Sequence, residues 1–186
     1  MLMLTNSTGW SVSDLDQLPD DGNRYEIVDG ELFVTPAPSR RHQLVSASFF
    51  RRIDAFVAST GIGRTFYAPG DVQNDVKNRV QPDIFVEPRT NDRPPANWTD
   101  APKPILVVEI LSDTTAHRDI GFKRTFYARA GIPEYWIVNS DERSVLIARR
   151  GHRDSVVGDR IVWQPAAADR ELVIKLEELF AEALEG

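Results

Sequence analysis

The sequence predicts an α/β (α+β) fold, a mixed β-sheet flanked by helices, carried by a single domain over residues 1–186. Three observations predict it. Two long stretches, 38–60 and 114–131, have the spacing of amphipathic helices. They alternate with short extended runs bounded by Gly, Pro and Asp, the order expected of helices packed on a sheet. One run, "ILVVEIL" at 105–111, is apolar on both faces, as a central strand covered on both sides must be. A chain of 186 residues suits one domain with a substantial core.

Residues 1–9 are expected to be loose. "SVSDLDQL" reads as a short helix that Ser11 or Ser13 caps. "RYEIVDGELFV" reads as a hairpin, because Asp29-Gly30 suits a type I′ turn with positive φ at both central residues. Alternation then places Tyr25, Ile27, Leu32 and Val34 on one face and Glu26, Val28, Glu31 and Phe33 on the other.

The helix at 38–60 gathers Val45, Phe49, Phe50, Ile53, Phe56 and Val57 on one arc. Arg40, Arg41, Arg51 and Arg52 fall opposite, on an open face that reads first as a solvated helix surface and second as a contact for phosphates, and His42 projects near the middle of the apolar arc. A core histidine with a local hydrogen bond is its simplest reading. "GRTFYAPGDVQN" and "RVQPDIFVEP" read as two strands joined around "DVKN", with Asp83 at a strand start after Pro82. A Pro-rich connection leads to 105–111. The helix at 114–131 follows, with Ser112 or Asp113 as cap and Gly131 as stop. "EYWIVN" and "SVLIARRG" add two strands, and "ELVIKLEELF" a short strand with a closing helical turn.

Composition narrows the function classes. The net charge of −6 speaks against a nonspecific nucleic-acid coat, which is normally basic. No run is long and apolar enough for a membrane span, and "MLMLTNSTGW" does not read as a secretory signal. The absence of cysteine excludes thiolate chemistry and fits a cytoplasmic protein.

The informative anomaly is charge at interior positions. Glu109 lies within the most apolar strand. Lys123 falls in the middle of the second long helix's apolar arc, formed by Ala116, Ile120, Phe126, Tyr127 and Ala130, and Asp119 lies one turn earlier. Burying an unpaired charge costs several kcal/mol or forces neutralisation. Two readings stay open: a structural one, with a buried Asp119–Lys123 or Glu109–Lys123 ion pair or a Lys123 stem that snorkels outward, and a polar pocket holding a metal or substrate. Asp83, on a strand that can neighbour that of Glu109, favours the pocket. Two carboxylates suit a hard divalent cation, and a nearby lysine suits phosphodiester hydrolysis.

On "RYEIVDGEL", "PAPSRRH", "QPDIFV", "LVVEILS", "RDIGFKRTFYARAGIPEYWIVN" and the terminal "LF", the chain resembles the Uma2 ("Uma two") restriction-endonuclease family of the PD-(D/E)XK nuclease superfamily, from about Arg24 to about Phe180. The resemblance implies a restriction-endonuclease-like fold and a site binding Mg²⁺ or Mn²⁺. Asp83 matches the PD aspartate and Glu109 the (D/E) position, both as metal ligands. Leu111 replaces the lysine of the simplest superfamily pattern, and Lys123 occupies the place to which that lysine moves in this family. Glu26 and His42 match accessory positions, Asp119 is expected to orient Lys123, and the carbonyl of Ile110 is a further metal ligand by the same likeness. Asn139 stands where relatives often carry Asp, and reads as a turn residue.

The leading expectation is a metal-dependent DNA endonuclease with Asp83, Glu109 and Lys123 as catalytic residues, acting as a homodimer if both strands are cut. The alternative is a catalytically silent nuclease-fold domain that binds nucleic acid or regulates. A glycosidase ranks below both, because Lys123 has no task in it.

Overall fold

The computed structural model describes residues 2–4, 9–90, 93–111 and 116–186, without the side chains of 2–4 and 116–120. Its centre is a six-stranded mixed sheet. In chain order its strands are β4 (Gly63–Tyr67), β7 (Ile84–Pro88), β8 (Leu106–Ile110), β9 (Glu134–Asn139), β10 (Ser144–Arg149) and β11 (Ser155–Val157). They lie in the order β11-β10-β9-β8-β7-β4. Only β8 and β9 pair in parallel, and parallel neighbours need a crossover. Helix α3 (Ala116–Ala130) supplies it, ending at Gly131 with φ 79°.

A second sheet, antiparallel throughout, has the order β1-β3-β2-β6-β5. It consists of β1 (Leu2–Leu4), β2 (Arg24–Val28), β3 (Glu31–Thr35), β5 (Val72–Asp75) and β6 (Asn78–Val80). The β2–β3 turn has φ 53° at Asp29 and 80° at Gly30, the positive pair the hairpin requires. Its register, with Tyr25 opposite Val34 and Ile27 opposite Leu32, gives the predicted faces. Strands β12 (Arg160–Trp163) and β13 (Leu172–Lys175) form a separate ribbon.

Alternation along the large sheet feeds two cores. On one face Ile84, Val86, Leu106, Val108, Trp136 and Val138 pack with α2 (Arg40–Thr60) and α4 (Leu176–Glu185). The helix residues Val45, Phe49, Ile53, Phe56 and Val57 are buried there, as the periodicity predicts, with Phe50 at the margin. On the other face Phe85, Val107, Tyr135 and Ile137 pack with Phe126, Tyr127 and Ala130 of α3 and with Val28 and Phe33 of the small sheet.

Several expectations are corrected. The run 2–4 is a strand on β3 rather than loose chain, covering an edge that would otherwise be open. The two strands read over 63–74 and 79–88 are four. Pro69-Gly70 breaks the first and Pro82 the second, and the pieces belong to different sheets. The first helix, α1, is only Val12–Leu15, capped by Ser11, whose N–H donates to the Asp14 carboxylate. The closing turn is the ten-residue α4, and β11 and β12 were not foreseen. The expected caps Ser112 and Asp113 lie outside the described residues.

Candidate active site

The period-2 alternation of strands places the site. Asp83 precedes β7 by one residue and shares the parity of Phe85, while Glu109 shares that of Val107, so both belong to the α3 side of the large sheet. Ile84 pairs with Val108 across antiparallel β7 and β8, so the next positions outward are Asp83 and Glu109. Arg24 and Glu26 share the parity of Val28 on β2, which faces the same core. Lys123 and Tyr127 are four residues apart on α3 and so share a helix face.

The resulting contacts form two linked groups. The Lys123 ammonium lies 2.9 Å from Glu26 Oε1 and 3.0 Å from Glu109 Oε1, with its side chain only 13% exposed. The Tyr127 hydroxyl donates to Glu109 Oε1 at 2.8 Å, and the Gln81 N–H donates to Glu26 Oε1 at 2.7 Å. In the second group, Arg24 Nη1 and Nη2 both lie 3.2 Å from Asp83 Oδ1, and Nη1 also donates to the Gln81 carbonyl at 2.9 Å. Asp83 Oδ2 accepts from the Ile110 N–H at 2.9 Å and lies 3.1 Å from His42 Nε2. The other ring nitrogen of His42, Nδ1, is buried and has no partner among the described residues.

Burial pushes the Asp83 carboxyl up, but His42, Arg24 and the Ile110 N–H outweigh it and bring the pKa down to about 2. Burial also dominates at Glu109, helped by the charges of Asp83 and Glu26; Lys123 and Arg24 offset only part, and the pKa stands at about 7. Lys123 is destabilised by burial yet raised above its ordinary value by Glu109 and Glu26. One ammonium serves two carboxylates. Lys123 therefore keeps its proton, and Glu109 is the member that titrates near neutrality. His42 is likewise raised, burial being outweighed by the hydrogen bond and charge of Asp83.

Asp83, Glu109, Lys123, Glu26 and His42 are thus brought together, and His42 reaches an ionic partner rather than a local one. The Asp119 side chain lies outside the described residues; among the described ones, Glu26 and Glu109 contact the Lys123 ammonium. Sequence reasoning missed Arg24 and Tyr127. Two signals pointed to them: Arg24 is two residues from Glu26 on a strand, and Tyr127 is one helical turn beyond Lys123. The arginines read as an open face on α2 are largely committed. Arg51 and Arg52 pair with Glu182 on α4, and Arg41 pairs with Asp141 and donates to the Ser140 carbonyl.

The donor chemistry fits a hard divalent cation, since Asp83, Glu109 and Glu26 offer carboxylate oxygens from neighbouring elements. Asp83 is held in its ionised form. Among the described residues no three of His, Asp and Glu converge as a ready cage. Lys123 bridges Glu26 and Glu109, and Arg24 covers Asp83 Oδ1.

Over residues 12–183 the chain matches the sequence profile of the Uma2 family, described as "Putative restriction endonuclease". A solved structure from Anabaena variabilis, described as "a putative nuclease belonging to DUF820", superposes with a TM-score of 0.76 at 20% identity. The similarity covers 94% of this chain and 99% of that one, and at this identity it shows the shared fold. No curated protein matches the sequence significantly.

Proposed function

The chain belongs to the Uma2 family, and from that premise we propose that it is an Mg²⁺- or Mn²⁺-dependent endonuclease hydrolysing phosphodiester bonds in DNA. The observation that carries the reading is Lys123. Its ammonium is held between Glu26 and Glu109, at interior positions where a core built for stability alone favours apolar residues, and Asp83 neighbours Glu109 on the adjacent strand.

A divalent cation held by the Asp83 and Glu109 carboxylates and the Ile110 carbonyl would supply an activated water and screen the phosphate. The protein's own groups have separable tasks. Asp83 stays anionic at any working pH, positioned by His42 and the Ile110 N–H. Glu109 completes the ligand set once it loses its proton, near neutrality. Lys123, raised above its ordinary pKa, does not accept a proton from water. Its task is to place fixed positive charge against the phosphate oxygens as the water oxygen–phosphorus bond forms and the ester bond breaks, the water's proton passing to solvent and the departing oxygen taking one up from it. Glu26 fixes the ammonium for that task.

The test is a Mn²⁺ titration, following the free paramagnetic signal, on wild type and Glu109→Ala. Uptake by wild type that the variant loses supports the site. No uptake by either, with or without added DNA, overturns it. Cleavage of mixed-sequence duplex DNA by wild type and its loss in Lys123→Met would complete the assignment.

One observation favours a second reading, a silent scaffold that binds nucleic acid. Every carboxylate of the site already faces a protein cation. Salt-dependent DNA binding that needs no metal, in a protein that takes up no Mn²⁺, would select it.

A further inference from the structure

Resting on the metal-dependent reading above, a further role emerges for Arg24. The two oxygens of Asp83 are held differently. Oδ2 is fixed by a backbone N–H and by His42. Oδ1 is held by the guanidinium of Arg24 alone among the contacts described, through Nη1 and Nη2. Arg24 is the first residue of β2, and its side chain is 17% exposed. Leaving Asp83 also means giving up the bond from Nη1 to the Gln81 carbonyl, and the motion required is rotation about the side chain's own bonds.

Charge counting gives the exchange its direction. The Arg24 guanidinium cancels the charge of Asp83 from the Oδ1 side. With it withdrawn, the site is one unit more negative and Oδ1 is open, both of which favour a cation in its place. A guanidinium and a divalent cation on the same carboxylate also repel each other.

We infer that Arg24 is an exchangeable counter-ion: it neutralises Asp83 while the site holds no metal, and moves to a substrate phosphate when a divalent cation takes Asp83. The guanidinium suits both stations, since its planar fork of donors matches carboxylate and phosphate oxygens alike. Metal and nucleic acid then favour each other's binding, because each relieves the other's competitor. Such coupling is reciprocal and typically falls between about 5- and 150-fold.

The experiment measures Mn²⁺ affinity for wild type and Arg24→Gln, each with and without a short phosphorothioate DNA duplex that resists cleavage. Without duplex, Arg24→Gln is expected to bind Mn²⁺ about tenfold more tightly than wild type. The duplex is expected to tighten Mn²⁺ binding by wild type by a similar factor and to leave the variant nearly unchanged. Equal or weaker binding by Arg24→Gln overturns the inference, as does a duplex effect of the same size in both proteins.

Should Arg24→Gln fold poorly, Arg24→Lys serves. It keeps one ammonium in place of the fork, so Mn²⁺ affinity rises by a smaller factor, and no rise overturns the inference. Failure here is separable from failure of the nuclease reading. Mn²⁺ uptake by wild type that Glu109→Ala loses, with no gain in the Arg24 variants, removes the role of Arg24 alone. Absence of uptake in every protein, with and without duplex, removes both.

Discussion

The ammonium of Lys123 on α3 reaches Glu26 on the small sheet at 2.9 Å and Glu109 on β8 at 3.0 Å, so one cation ties the two sheets together at the site. Lys123→Met removes the cation shared by Glu26 and Glu109 and leaves both carboxylates buried without it. Breaking a buried pair costs about 3–5 kcal/mol. The variant escapes part of that cost by protonating a carboxylate, whose folded-state pKa then stands above its unfolded value. Stability gained that way is full at acid pH and fades as pH rises through the raised value. Urea unfolding should therefore show a larger deficit at about pH 8 than at about pH 5.5. Adding Glu109→Gln should recover part of the deficit at the higher pH. Neither variant should cleave DNA, and cleavage at the wild-type rate by Lys123→Met would remove Lys123 from the mechanism.

Tyr127 is buried, and its hydroxyl donates to Glu109 Oε1 at 2.8 Å. Tyr127→Phe deletes the donor and keeps the ring. A stability loss of about 1–1.5 kcal/mol is expected. The hydroxyl favours the ionised carboxylate, so its removal moves the Glu109 pKa further up from about 7. The acid limb of the cleavage-rate profile should shift to higher pH by the same amount. An unmoved limb would mean that Glu109 does not control that limb.

Much of this site was legible in the sequence because strands and helices have fixed periods. Lys123 falls in the middle of an apolar arc, and Glu109 interrupts the most apolar strand; each position follows from local geometry alone. Arg24 was not legible as a partner of Asp83. Their contact depends on how the hairpin of the small sheet docks against the end of β7, which no local period encodes. The division of 63–88 into four strands was hidden for a related reason. Pro69-Gly70 and Pro82 mark the breaks, but only pairing shows that β4 and β7 join one sheet and β5 and β6 another. On the surface, the arginine face of α2 looked available because Glu182, which takes Arg51 and Arg52, lies on a helix at the far end of the chain.

Asp83 predicts an acid signature. Its pKa of about 2 lies below the ordinary 3.8, His42, Arg24 and Ile110 prevailing over burial. A depressed carboxylate contributes stability that is present above the unfolded value and lost as pH falls through the folded one. Between about pH 4 and pH 2 the wild type should lose roughly 2 kcal/mol through this residue. Asp83→Asn should be less stable at neutral pH, because Arg24 and His42 lose their anion. Its stability should fall correspondingly less across the same acid interval, followed by urea unfolding at each pH. Parallel curves for the two proteins would mean that Asp83 carries no depressed pKa.

Gly63 opens β4 directly opposite Pro88 at the end of β7. A Cβ built there would stand 2.0 Å from the Glu87 carbonyl oxygen and 3.0 Å from its carbon. Both are backbone atoms of a paired strand, so no side chain can turn aside to make room. Gly63→Ala must push β4 away from β7, breaking ladder bonds at the sheet edge and disturbing Ile62, which is buried against the α2 core. A loss of about 3 kcal/mol or more is expected, the range of severe overpacking. Gly158→Ala is the control, since a Cβ there meets nothing within 4 Å. Thermal unfolding of the two variants should separate clearly. Similar melting midpoints would show that the β4 edge yields without cost, and that strand β7, which leads into Asp83 at its other end, is not held in place from this side.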